Sequence, residues 1–252
     1  MKKIIFLLFG ILLFSCEKEE SAEVIPNKEL PPAECEKSSN YVDIANQISW
    51  YGDACFSIQT DEYLIFADPY DINTSHSADV LLISHPHHNR YQSVNNVVTD
   101  QTIALTSKDV TIFSAGEHHG MLPNSKYIIN ECFSVRSIPA YGDGGHPKAN
   151  NWIGFLISLN GVSIYYTGSS MRIPEMQGIE CDIVLVRVLP QHAIADMAQI
   201  AEIVKDVGAK IAIPLHWDVS AVTSKPNHEN VVELARLLEG IAEVKELENT
   251  EG

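Results

Sequence analysis

The stretch ADVLLISHPHHNRY, Ala78 to Tyr91, runs an apolar segment straight into three histidines: His85, His87 and His88. Val80 to Ile83, bounded by polar residues, predicts a short buried strand. A His-x-His pair leaving a strand in extended backbone turns both rings to one side, because successive side chains alternate. Two neighbouring imidazoles at a strand end are the start of a metal site. The next two residues break that pattern. Asn89 offers only a neutral amide oxygen, and Arg90 has no lone pair and stays protonated at physiological pH.

Outward from this stretch, short β-rich runs alternate with turns: ACFSIQ, YLIFADP, TIALTS, VTIFSAG, FSVRSIPA, WIGFLISL, VSIYYTG and DIVLVRVL. Asn160-Gly161, between two such runs, is a strong hairpin signal. Helical spacing comes late, in ADMAQIAEIVKDV and HENVVELARLLEGI, with the short buried strand IAIPLHW between them. Strands first and strand–helix alternation later predict two packed sheets with helices outside. His146 follows the glycine-rich turn PAYGDGG, and His216 follows IAIPL. Loops at the ends of rigid strands are where reactive groups are placed. Three imidazoles around one point would hold a zinc ion with an open fourth position. Any one of the ten histidines could equally be a solvated or hydrogen-bonded ring. We read His88, His118, His119, His192 and His228 in that way, and Trp152 and Trp217 as core or pocket wall.

Six segments, in order, resemble the metallo-β-lactamase fold, in the branch that includes the ascorbate-phosphate lactonases and related hydrolases. WYGDACFSI resembles the opening W-x-G-H-A-S-F motif, and FADPY the I-D-P motif. ADVLLISHPHHNRY stands in place of A-D-x-x-L-x-T-H-x-H-x-D-H. IPAYGDGGHPKANNWIGFLI resembles the segment of the third histidine, and IYYTGSSMRIPEM resembles I-Y-H-A-G-D-T-x-x-I-P-E-M. IAIPLHW matches the strand that delivers the last histidine. The resemblance implies an α/β, four-layer αββα sandwich in a single domain, Tyr41 to Gly252.

The resemblance also carries over a metal centre, position by position. His85, His87 and His146 match the ligands of the first metal, and His216 a ligand of the second. The signature's aspartate is Asn89, its last histidine is Arg90, and the bridging aspartate is Ser169. The histidine of the opening motif is Asp53. Asn89 and Ser169 offer only neutral oxygens and Arg90 no lone pair at all, so at most one zinc is expected, with none as the alternative. Arg90 would then replace the second cation by fixing a carboxylate or phosphate of a ligand, with Asp53 assisting.

The N-terminus reads separately. Met1–Ser15 is a basic start and a short apolar run, an export signal rather than a permanent span. Leu13-Phe14-Ser15-Cys16 resembles a bacterial lipoprotein box, which implies lipidation of Cys16 and attachment to the membrane through it. Residues 16–40 read as a flexible tether. Lys18-Glu19-Glu20 resembles a surface-export signal of Bacteroidetes lipoproteins and points to the outer membrane. The chain has 17 basic and 33 acidic residues, a net charge of −16, which disfavours nucleic acid and anionic lipid as partners. Cys35, Cys55, Cys132 and Cys181 form no CxxC pair, and nothing in their spacing demands a disulfide. Two functions remain open. One is a one-zinc hydrolase of an ester, lactone or phosphoester. The other is an inactive member that binds a small ligand or partner at the cell envelope.

Overall fold

The computed structural model describes residues 35, 38–87, 90–112, 114–142, 145–188, 196–218 and 228–250. The proposed signal, Cys16, His88, Asn89 and His192 lie outside the described residues.

The first sheet holds six strands in the order β1 (Ile48–Trp50), β2 (Phe56–Gln59), β3 (Leu64–Ala67), β4 (Val80–Ile83), β5 (Ile103–Ser107) and β6 (Glu117–Met121). The pairs β1–β2 and β2–β3 are antiparallel, and the rest are parallel. The second sheet comprises β7 (Lys126–Asn130), β8 (Phe133–Pro139), β9 (Ile153–Leu159), β10 (Val162–Tyr166), β11 (Ile183–Arg187), β12 (Ile211–Leu215) and β13 (Glu243–Val244), side by side in that order. It is antiparallel as far as β10 and parallel beyond. The β9–β10 turn is Asn160-Gly161, both at positive φ (50° and 81°), as a tight hairpin requires.

Side-chain alternation builds the layers. Val80 and Leu82 of β4 face Ile183 and Leu185 of β11 across the space between the sheets, in one core with Phe56, Phe155 and Tyr166. Val184 and Val186 point the other way, onto helices α2 (Met197–Asp206) and α3 (His228–Leu237). α2 begins where the Asp196 carboxylate accepts the Gln199 N–H, and it buries Met197, Ile200, Ala201, Ile203 and Val204. Each large aliphatic side chain buried in this way contributes about 1.5–3 kcal/mol. A short helix α1 (Tyr41–Asn46) lends Ile44 and Ala45 to the core between the sheets.

Three expectations are adjusted. VTIFSAG is not a strand: Val110 and Ile112 fold over the outer face of the first sheet, and the next strand is the polar edge strand β6. Among the described residues that face is covered by loops and a 3-10 turn, Val94–Asn96, rather than by an α-helix. The segments YDINTSHSA and YQSVNNVVTD are rich in Asn, Ser and Thr, whose side chains compete for the backbone and favour turns. Finally, the end of the supposed tether belongs to the fold. Cys35 is disulfide-bonded to Cys132, the Ser39 N–H donates to the Asn160 carbonyl at 2.9 Å, and Asn40 caps α1.

Candidate metal centre

The chemistry-bearing residues collect where β3, β4, β10, β11 and β12 end. His85 and His87 leave β4, and His146 stands in the β8–β9 loop. One ring nitrogen from each lies within 4.8 Å of the others. His85 Nε2 and His87 Nδ1 are 3.1 Å apart, close to the edge of about 3.3 Å that two nitrogens span around tetrahedral zinc. Trp152 walls the group: its ring stacks on His85 at 4.9 Å and stands edge-on to His87 and His146 at 4.9 and 5.1 Å. His85 and His146 are buried and His87 is exposed, so the group is open on one side.

Behind the triad a hydrogen-bond relay fixes the first ligand. Ser84 Oγ donates to Asp68 Oδ2 at 2.6 Å, and its other contact is His85 Nδ1 at 2.8 Å. A hydroxyl has one proton, so His85 Nδ1–H must donate to Ser84, which leaves Nε2 as a bare lone pair facing the triad. Asp68 is itself held by the Ser84 N–H at 2.8 Å and the Tyr166 hydroxyl at 2.5 Å. Burial, and then the Arg90 charge, keep His85 well below the ordinary histidine range; burial, Arg90 and Arg187 also lower His87. Neutral imidazoles with a fixed tautomer suit a metal.

The second half of the site is closed. Arg90 Nη1 donates to Asp53 Oδ1 at 2.7 Å, Nη2 to Ser169 Oγ at 3.3 Å, and Nε lies 3.5 Å from Asp68 Oδ2. His216 Nε2 lies 2.8 Å from the same Asp53 oxygen. Arg90, Asp53 and Asp68 are 2%, 3% and 0% exposed, which makes this an internal ion cluster. Burial works against the Arg90 charge, but Asp53, Tyr166 and Asp68 outweigh it and hold the guanidinium protonated.

Comparison with known proteins bears on this arrangement. The family described as a β-lactamase superfamily domain matches residues 47–216. The chain belongs to that family. A UPF0173 protein of Pyrococcus abyssi is 24% identical over 179 residues, 68% of this chain and 83% of that one. A metal-dependent hydrolase candidate from Parabacteroides distasonis superposes with a TM-score of 0.67 at 20% identity, covering 80% of this chain and 93% of its own. Igni18, a metallo hydrolase of Ignicoccus hospitalis, superposes with a TM-score of 0.64 at 16% identity, covering 80% and 94%.

Within the β-lactamase superfamily fold, the site residues divide into two groups. His85, His87 and His146 form the triad expected of a first metal. His216, matched to a ligand of the second metal, lies outside the triad, with its Nε2 2.8 Å from Asp53 Oδ1. Arg90 is likewise engaged with the protein's own carboxylates rather than facing a ligand's anion, and Asp53 is its counterion. His118 bonds Thr106 and His119 bonds Glu117 on the edge strand β6, apart from the triad. The reading of motifs gave no role to Asp68, Tyr166 or Arg187. The available signals were an aspartate closing β3 and an arginine closing an otherwise apolar β11. Asp53, Asp68 and His216 also hold positive φ (47°, 43° and 64°), a conformation that costs about 1–3 kcal/mol and concentrates at functional sites.

Burial holds His216 down at about 4, from an ordinary 6.5, against the pull of Asp53. The folded protein keeps this ring neutral where the unfolded chain takes up a proton. In the metal-free protein this stability is full above pH 6.5 and is lost as the pH falls toward 4. The shift is worth about 3 kcal/mol. Urea midpoints should therefore fall across that window, and His216→Gln should make the slope shallower. Identical slopes in the two proteins would remove His216 as its source.

Proposed function

We propose that the chain is a lipid-anchored hydrolase that uses one zinc ion, held by His85, His87 and His146, to cleave an ester, lactone or phosphoester at the cell envelope. The triad carries this reading: three imidazole nitrogens within 4.8 Å, with His87 open to solvent. Bound there, zinc would supply a Lewis acid able to activate water near neutral pH.

The chain's own residues do the rest. Ser84, oriented by Asp68, holds the His85 tautomer, and Trp152 excludes water from the buried side of the triad. Exposed His87 marks the side from which a substrate approaches. Arg90 balances Asp53 and Asp68, a task that otherwise falls to a second cation. Neither Asn89 nor Ser169 can take a proton as a carboxylate would, so the reading assigns no side-chain general base at those positions. Attachment through Cys16 follows from the lipoprotein-box resemblance, and a disulfide at Cys35 fits an oxidising compartment. The metallo hydrolase of Ignicoccus hospitalis and an isothiocyanate hydrolase from Delia radicum gut bacteria have the same fold, the latter with a TM-score of 0.58 at 11% identity. They support hydrolysis by analogy of fold and leave the bond cleaved open.

Metal analysis tests the proposal. Protein expressed with ample zinc should hold about one equivalent, and His85→Ala less than about a tenth. Ser84→Ala should bind zinc about 10–100-fold more weakly while keeping the fold. A wild-type protein without zinc would sink the hydrolase reading and favour the alternative, an envelope protein that binds a ligand without turning it over.

A further inference from the structure

β11 is apolar until its last residue, Arg187. That residue pairs with Leu215 of β12, immediately before His216, and the Val188 N–H donates to the Leu215 carbonyl at 3.0 Å. On the other side of β11, β10 runs on toward Ser169. Ile183 and Leu185 face the space between the sheets, whereas Val184, Val186 and Val188 face the helices. Alternation therefore turns Arg187 into the space between the sheets, at the end where the histidines gather.

Among the described residues, no hydrogen bond or ion pair reaches the Arg187 guanidinium, and its Nε is buried without an acceptor. Three other arginines are matched, Arg90 with Asp53, Arg172 with Asp206 and Arg236 with Glu233, and Arg136 is exposed. In a chain with 33 acidic residues, Arg187 is not unpaired for want of acids. Burial and the nearby Arg90 charge pull it down to about 10, so it remains charged at neutral pH. After burial, its charge also helps to keep His85, His87 and His216 neutral. A half-buried cation with no directly bonded counterion costs stability in the free protein, which the more distant Asp53 offsets only in part. The cost is recovered when a ligand supplies the anion.

We propose that Arg187 is the anion anchor of this site, its planar fork gripping a carboxylate or phosphate oxyanion of the substrate beside the histidine triad. The proposal deepens the hydrolase reading and rests on it. The substrate class becomes an anionic ester, lactone or phosphoester. The fork matches both oxyanions with two parallel hydrogen bonds, which a lysine cannot reproduce. Arg90, fully buried, does not serve this purpose.

The test uses the full-length protein stripped of metal by a chelator, so that binding reports on the side chains alone. Inorganic phosphate and, separately, acetate are titrated by calorimetry, at fixed ionic strength, into wild type, Arg187→Met and Arg187→Lys. Wild type should bind at least one of the two saturably, and which one it prefers separates a phosphate from a carboxylate substrate. Arg187→Met should bind at least about tenfold more weakly, with Arg187→Lys between. Arg187→Met should melt no lower than wild type, because it removes an unpaired, half-buried charge. Its zinc content, measured in a separate zinc-replete preparation, should be unchanged. Binding of neither anion by wild type, undiminished binding by Arg187→Met, or a lower melting temperature for Arg187→Met would each overturn the assignment. Loss of zinc from wild type with anion binding intact would instead sink only the hydrolase reading.

Discussion

Arg90→Met is expected to destabilise the fold by about 3–5 kcal/mol, as removing one partner of a buried ion pair does. The reason is visible in what the guanidinium touches. It alone bridges Asp53 and Asp68, both essentially inaccessible to water, and it reaches Ser169 as well. Methionine fills the volume but leaves two buried carboxylates without a cation. Arg90→Lys should recover only part of the loss, since one ammonium cannot span three partners. Urea denaturation with the disulfide intact measures the effect, and a loss under about 1 kcal/mol would show that the carboxylates do not depend on Arg90. On the one-zinc proposal, the cluster takes the place of a second metal. Asn89→Asp, Arg90→His and Ser169→Asp, introduced together, should raise zinc toward two equivalents. No gain would mean that the loops, and not only the ligands, have diverged.

Much of this was legible in the sequence, and the residues explain which parts were. Each strand that passes through a core alternates or is wholly apolar, so β2, β4, β9 and β11 could be read directly. The histidine triad was readable because two of its members share a strand end and the third closes a glycine-rich turn in a matching segment. Polar edge strands were not readable: Glu117-His118-His119 has no apolar alternation, and its strand exists only because β5 offers an unpaired edge. Nor could the sequence tell which way a charged residue faces. Arg90 and Arg187 look alike as letters, but one is enclosed by two aspartates from distant loops and the other has none. That difference is set by tertiary packing, and it reverses the role first given to Arg90. His216 shows the same limit. It arrives at the matching position, but its Nε2 is held by Asp53, a residue that matters only once the turn after β1 packs against the end of β12.

Reducing the Cys35–Cys132 disulfide should lower stability severely while leaving the metal centre intact. The bond closes a loop across a sequence separation of 97 residues, and restricting an unfolded chain over about 100 residues is worth about 4.7 kcal/mol. The native geometry around it is shared with the fold, through Asn160 N–H to the Cys132 carbonyl at 2.9 Å and Ser39 to Asn160. Cys132 stands just before β8, whose seven residues separate it from the loop that carries His146. A drop in the urea midpoint on Cys132→Ser should therefore come without loss of zinc. Reduction of the wild type should reproduce the variant, because the other thiols do not compete. Cys55 and Cys181 are buried, and burial pushes Cys181 up to about 12 and Cys55 higher still. An unchanged midpoint would mean that the contacts of Ser39 and Asn40 hold the N-terminal segment without the bond. Loss of zinc on reduction would mean that β8 transmits strain along its length into the triad.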